Sequence, residues 1–219
     1  MEGDADLAMR ARFTIAEIRA QAIQIVDREG LAGLTMRSLA TALGTGPMTL
    51  YNYVKDREQL EGLVAAAVLA DVRLPRSSGD WLADVKSIAG AIWTAVRRHP
   101  NAAPLVLTRR SVSDAGYAPA ERLVEALGRG GLTDLDLLAA FRGVLSLVMG
   151  AVQVELAGPV GTTDREQANV VVAERIGHLA ETHYPHLAAL AQTSQSSTMA
   201  ADFDRALDML LRGIQRRPT

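Results

Sequence analysis

The chain has 219 residues, of which 48% are apolar and 22% charged, and its formal net charge is −2. That balance describes a folded globular protein with material for a sizeable core, and it excludes both a disordered chain and a uniformly basic coat for nucleic acid. With no cysteine, disulfides, thiolate metal sites, iron–sulfur clusters and a cysteine nucleophile are all excluded.

The longest uninterrupted apolar stretches, such as Leu63 to Ala70, fall far short of the ~18 residues that suggest a membrane span. The acidic start, Met1 to Ala11, lacks the apolar run of a secretory signal. The expectation is a soluble, cytoplasmic protein with no membrane partner.

Ala, Leu and Arg are abundant, and alternating β-branched runs are rare, so the fold class expected is all-α. After a tail over residues 1–12, a first helix spans roughly Thr14 to Arg28, opened by a Thr14/Glu17 capping box and ended by Gly30 and Gly33. A short helix follows over Thr35 to Leu43, stopped by Gly44. The next starts at Pro47, where a missing N–H costs nothing, and runs to about Tyr53. Asp56 caps a longer helix to about Val72. Pro75 to Gly79 reads as the clearest linker, with Asp80 capping the next element. Later helices are expected over about 80–98, 102–109, 114–129, 134–157, 165–182 and 200–216, with Gln192 to Thr198 a polar loop. Three parts result: a tail over 1–12, a first domain over 13–73 and a larger one over 74–219.

Two short helices separated by Gly44-Thr45-Gly46 make a helix-turn-helix. Leu39, Ala40 and Leu43, with Leu50 and Val54, supply its inward face. The outward face of the second helix carries Met48, Thr49, Asn52 and Tyr53, with Tyr51 at the flank. Short polar and aromatic side chains at the start of such a helix can reach base edges and phosphates. Charge agrees locally: residues 7–57 carry seven Lys and Arg against four Asp and Glu, and no acid occurs from Gly30 to Lys55.

The run Leu34-Thr35-Met36-Arg37-Ser38-Leu39-Ala40, then Gly44, then Thr49-Leu50-Tyr51-Asn52-Tyr53-Val54-Lys55-Asp56 closely resembles the DNA-binding domain of tetracycline-repressor family regulators. The resemblance covers residues 14 to 72 and extends more weakly into the ligand domain of the tetracycline-repressor subgroup, through Trp81, His99, Thr108-Arg109, Tyr117, Gly131 and Gly150. It implies a helix-turn-helix three-helix domain followed by a larger helical ligand-binding and dimerisation domain. By position, it places Thr35 and Arg37 at the start of the second helix, facing phosphate and groove. Pro47, Met48, Thr49, Asn52 and Tyr53 fall on the recognition face, and Tyr51 and Lys55 become backbone clamps. Hydroxyls and Lys fix register on phosphates, Asn52 can pair with an adenine edge, and the Met48 or Thr49 methyl can touch a thymine methyl.

Such a regulator needs an effector site. Residues 80 to 157 are rich in apolar positions, among them Ile88, Ile92, Trp93, Leu105, Val106, Leu107, Leu123, Leu127, Leu147 and Met149. Thr108, Arg109, Arg110, Gln153 and Glu155 are interspersed polar groups. Apolar walls with a few polar anchors are the usual small-molecule site, although the same spacing also builds plain core. The candidates for the effector are Ile88, Ile92, Trp93, Val106, Thr108, Arg109, Leu123, Leu127, Met149 and Gln153. Tetracycline-responsive members hold drug and magnesium with two histidines. The corresponding positions here are near Val72 and at Val106, so an apolar effector without metal or other cofactor is expected.

Two apolar stripes, Phe141, Val144, Leu145, Val148 and Val152, and Phe203, Leu207, Leu210, Leu211 and Ile214, are expected at the dimer interface, as the four-helix bundle that joins two subunits in the family implies, although the same spacing also suits an internal core. The expected partners are therefore double-stranded operator DNA, a small molecule and a second copy of the chain. One rival is a ligand-independent architectural DNA-binding protein. The other is a helical enzyme with a metal site around Glu174, His178, His183 and His186. Against an enzyme, no nucleophile elbow, phosphate-binding glycine loop or paired-histidine zinc motif occurs, and Gly128 to Gly131 follows a helix rather than a strand.

Overall fold

The computed structural model describes residues 13–108, 117–156 and 184–216, and all regular structure among them is helical. The described residues fall into two compact units. One takes in the chain up to Asp71 and the segment that starts at Arg98. The other takes in Val72–Arg97 and the chain from Ala118 onward. The sequence-based boundary at residue 73 puts the whole segment after α5 with the second domain, whereas its first described residues pack with the first unit.

In the first unit, α1 (Ile15–Gly33), α2 (Met36–Ala42), α3 (Pro47–Leu50) and α4 (Arg57–Ala70) surround Ile18, Ala22, Ile25, Leu39, Leu50, Leu60 and Val64, all buried. The α1 capping box forms as expected. The Thr14 hydroxyl accepts from the Glu17 N–H at 3.2 Å, and the Glu17 carboxylate accepts from the Thr14 N–H at 2.7 Å. The Thr14 N–H and the Thr14 hydroxyl, both donating to that carboxylate, favour its ionised form and hold the Glu17 carboxyl below the usual range. Gly30, at φ 71°, interrupts α1 one turn before its end. The α4 cap is Asp56, whose carboxylate accepts from the Gln59 N–H at 2.8 Å.

A 3-10 turn (Pro100–Ala102) and α6 (Ala103–Thr108) pack on α1 and α4. Polar bonds secure the turn. The Asn101 amide donates to the carbonyls of Val26 and Asp27, and His99 Nδ1 lies 2.9 Å from the Asp27 carboxylate.

The second unit is built on α5 (Trp81–Arg98), α7 (Tyr117–Arg129), α8 (Asp134–Leu156), α9 (Pro185–Ser194) and α10 (Met199–Gln215). The expected linker is pinned to this unit. Asp84, 3% exposed, accepts from the Ser77 hydroxyl at 2.5 Å, the Ser78 N–H at 2.7 Å and the Ser78 hydroxyl at 2.8 Å. Arg129 of α7 closes on the same carboxylate at 2.5 Å. These donors hold the Asp84 carboxyl well below its ordinary value of 3.8.

Helix α9 was not expected: its Pro185 reads as an interruption in sequence, yet it occupies the first helical position, where proline is favoured. The expected loop from Gln192 consequently starts as the last turn of α9. Helix α8 is long and apolar enough to cross a membrane by length and composition alone, which uninterrupted runs do not reveal. It packs on α10 through Val144, Val148 and Val152 against a face that includes Phe203, Leu207 and Leu211, all buried within one chain. The stripes expected at a subunit interface are therefore largely internal core. Phe141, Leu145, Leu210 and Ile214 are half-buried, while Leu135, Leu138, Val154 and Met209 stay exposed. The expected tail, the helix over 165–182, Glu174, His178 and His183 lie outside the described residues. His186 is exposed on α9.

Candidate functional site

The α2–α3 turn explains how four residues of helix can be presented stably. Gly44 adopts φ 63°, its N–H bonds the Thr41 carbonyl at 3.1 Å, and the next N–H, of Thr45, bonds the Ala40 carbonyl at 2.9 Å. This pair of bonds is the Schellman termination, which needs a left-handed residue after the cap. Pro47 then opens α3 without a stranded donor. The helix is shorter than expected. After Leu50 the N–H groups of Asn52 and Tyr53 bond three residues back, to Thr49 and Leu50, so the segment tightens into turns before Val54.

Leu50 and Val54 are buried with Leu39 and Ala40, as the inward face requires, and Leu43 is half-buried. Outward, Met48 is 78% exposed, and Pro47, Tyr51, Asn52 and Lys55 are exposed beside a half-buried Thr49. Tyr53 differs from its expected place on the open face. It is half-buried, its hydroxyl accepts from the Phe13 N–H at 3.2 Å, and its ring meets Phe13 edge-on. Thr35 likewise has a structural task, since its hydroxyl caps α2 by accepting from the Ser38 N–H at 3.0 Å. Arg37 and Lys55 are exposed and make no ion pair among the described residues, so both charges are open to a phosphate. Arg57, by contrast, is committed: it pairs with Glu61 at 2.8 Å and reaches the carbonyls of Leu31 and Leu34. Sequence reasoning treated it only as local positive charge.

The effector candidates separate. Ile88, Ile92, Trp93, Leu123, Leu127 and Met149 are buried in the second unit, and Gln153 is exposed on α8. Val106 is buried on α6 in the first unit, where exposed Thr108 bonds its hydroxyl back to the Pro104 carbonyl. Arg109, Arg110 and the Leu107 side chain lie outside the described residues.

Two residues not among the effector candidates follow on from Trp93. Arg97 lies 4.3 Å from the centre of the indole ring and pairs with Glu155 at 2.5 Å. The signal was an arginine four residues after a tryptophan on an otherwise apolar helix face, a spacing that brings the two together. Trp93 Nε1 and Glu155 Oε2 are buried and find no partner among the described residues, at a cost of about 1–3 kcal/mol each.

Residues 74–217 match the family model for the tetracyclin repressor-like C-terminal domain. The chain belongs to the tetracycline-repressor family. An HTH-type transcriptional repressor from Streptomyces coeruleorubidus, DrrR1, is 32% identical over 215 residues, covering 93% of this chain and 77% of that protein. The class D tetracycline repressor of Escherichia coli is 28% identical over 72% of this chain and 73% of its own. Among solved structures, the Streptomyces coelicolor TetR family protein ActR in complex with actinorhodin superposes with a TM-score of 0.78 at 27% identity, over 92% of this chain and 96% of that one. This family member is thus a DNA-binding transcriptional regulator, and its relatives are regulators rather than enzymes.

Proposed function

We propose that the chain is a homodimeric repressor that binds a palindromic operator and leaves it when an apolar small molecule occupies the second unit. The observation that carries this reading is the α2–α3 unit, which exposes Met48, Tyr51 and Asn52 between the open charges of Arg37 and Lys55. Residues 13–73 are the DNA-binding domain, and 74–219 serve effector binding and dimerisation. The solved complexes of ActR with actinorhodin and with (S)-DNPA support a small-molecule effector. The exposed flank of α8, with Leu135 and Leu138, is the surface we assign to the partner subunit.

The mechanism is a coupling free energy between two sites. Two-fold symmetry sets the recognition segments about one DNA turn (~34–36 Å) apart, and effector binding favours another spacing. About 3 kcal/mol of coupling weakens operator binding roughly 150-fold, enough to release a promoter. The end of α5 suits this transmission. Arg97 bonds within the second unit to Glu155, while the next residues, Arg98 and His99, bond within the first to Asp71 and Asp27.

The test is binding of purified protein to DNA fragments from around its own coding region, across a salt series. Saturable binding to one palindromic fragment, with affinity falling steeply as salt rises, is the expected result. Failure with those fragments and with randomised DNA sinks the reading.

A further inference from the structure

The Trp93 cluster combines three contacts that leave two polar atoms over. Trp93 on α5 stacks on Phe203 of α10 with ring centres 4.8 Å apart and planes at 6°. Arg97 sits over the same indole, and its Nε and Nη2 approach Glu155 of α8 at 2.9 and 2.5 Å. Both bonds go to Oε1. An arginine fork matches the two oxygens of a carboxylate, and a pair that served only to fasten α5 to α8 would use both. Here Oε2 is buried with no partner among the described residues, and the N–H of Trp93, the indole that Arg97 covers, lacks one among them as well, although buried indoles usually find an acceptor. Glu155 is 5% exposed and Trp93 8%.

We infer that this cluster is the polar anchor of the effector site, and that the effector is a neutral compound carrying a hydroxyl on an apolar, ring-bearing body. The inference rests on the reading of the second unit as an effector domain. An indole N–H can only donate, and the free carboxylate oxygen can only accept. One hydroxyl answers both, accepting from Nε1 and donating to Oε2. An ether or ketone satisfies Trp93 alone. An ammonium satisfies Glu155 alone and meets the charge of Arg97, and a carboxylate meets the charge of Glu155. Because Arg97 and Glu155 balance each other, a neutral ligand adds no unpaired charge to a desolvated site.

With Phe203 and Arg97 both over the ring, the ligand meets the indole at its edge. Buried Ile88, Ile92 and Met149, on the same two helices, suit an apolar body.

The test is calorimetric binding of 2-naphthol, 2-methylnaphthalene and 2-naphthoate to the full-length chain at neutral pH without DNA. The expected result is 2-naphthol binding at least about tenfold tighter than either analogue, the effect of a paired buried hydroxyl. Trp93→Phe, which keeps a ring over Phe203, should bring 2-naphthol to within about threefold of 2-methylnaphthalene, since the hydroxyl then loses its donor. Should that variant fail to fold, the preference of the parent across the three probes decides alone. Equal binding of 2-naphthol and either analogue by the parent, no 2-naphthol binding up to its solubility, or an unchanged preference in folded Trp93→Phe each overturns the inference. Operator binding is measured separately on the same preparation. Its absence would overturn the regulator while leaving the probe result standing. Release of operator by 2-methylnaphthalene but not by 2-naphthol would overturn the hydroxyl anchor and keep the regulator.

Discussion

The Tyr53 hydroxyl accepts a hydrogen bond from the Phe13 backbone N–H at 3.2 Å, joining the turns that follow α3 to the entry of α1 forty residues earlier. The edge-on ring contact, with centres 6.4 Å apart, adds to it. Tyr53→Phe keeps the ring and strands the N–H. It should lower stability by about 1 kcal/mol in urea unfolding, with a smaller loss of operator affinity than a lost phosphate contact gives.

Tyr51 and Lys55 should behave oppositely. Both are exposed, so Tyr51→Phe and Lys55→Ala should leave the melting temperature within experimental error and weaken operator binding. For Lys55→Ala the slope of log affinity against log salt should shrink by about one, because one phosphate contact is lost. An unchanged slope would remove Lys55 from the DNA surface.

Gly44→Ala tests the turn. A Cβ there meets nothing within 4 Å, so any cost is backbone strain at φ 63° rather than collision. A loss of about 1–2 kcal/mol is expected, with Gly44→Asn costing less because asparagine tolerates the left-handed region better. Thermal unfolding of the two variants checks the order.

Asp84 makes stability depend on acid. Its carboxyl titrates lower in the folded chain than in the unfolded one, so the unfolded state takes up protons first as pH falls. The contribution of Asp84 is complete above its ordinary value of 3.8 and is lost progressively as pH drops below it. Melting temperatures of the parent between pH 5 and about 2.5 should fall more steeply than those of Asp84→Asn, whose amide does not titrate there.

The two faces of α8 should separate assembly from folding. Leu138→Arg, on the exposed flank, should yield a folded monomer by light scattering. Val148→Ala, in the buried face, should keep the dimer and cost about 1–3 kcal/mol of stability. The reverse pattern would return the dimer surface to the stripe read from periodicity.

Much of the first unit was legible because its signals are local. Thr14 with Glu17, Gly44, Pro47 and Asp56 act on backbone groups within five residues of themselves, and each stands where its type requires. The end of α3 was less legible, since the tightening after Leu50 accompanies the tie of Tyr53 to Phe13 rather than any residue within the helix. The same difference runs through the second unit. Helix-forming residues over 134–157 predicted α8, and that helix proves apolar on more than one side. A helix apolar on several sides does not say which side its neighbour takes, so only packing against α10 decided that Val144, Val148 and Val152 turn inward and Leu135 and Leu138 do not. The spacing of Trp93 and Arg97 was written in one helix, but the Glu155 that meets Arg97 lies 58 residues away, and Phe203 comes from another helix again. The sequence by itself determined the caps and turns of the first unit and most of its helices, because these depend on neighbours along the chain. Tertiary structure decided which apolar faces are core and which polar groups are left in want of a ligand, because both depend on what distant helices bring.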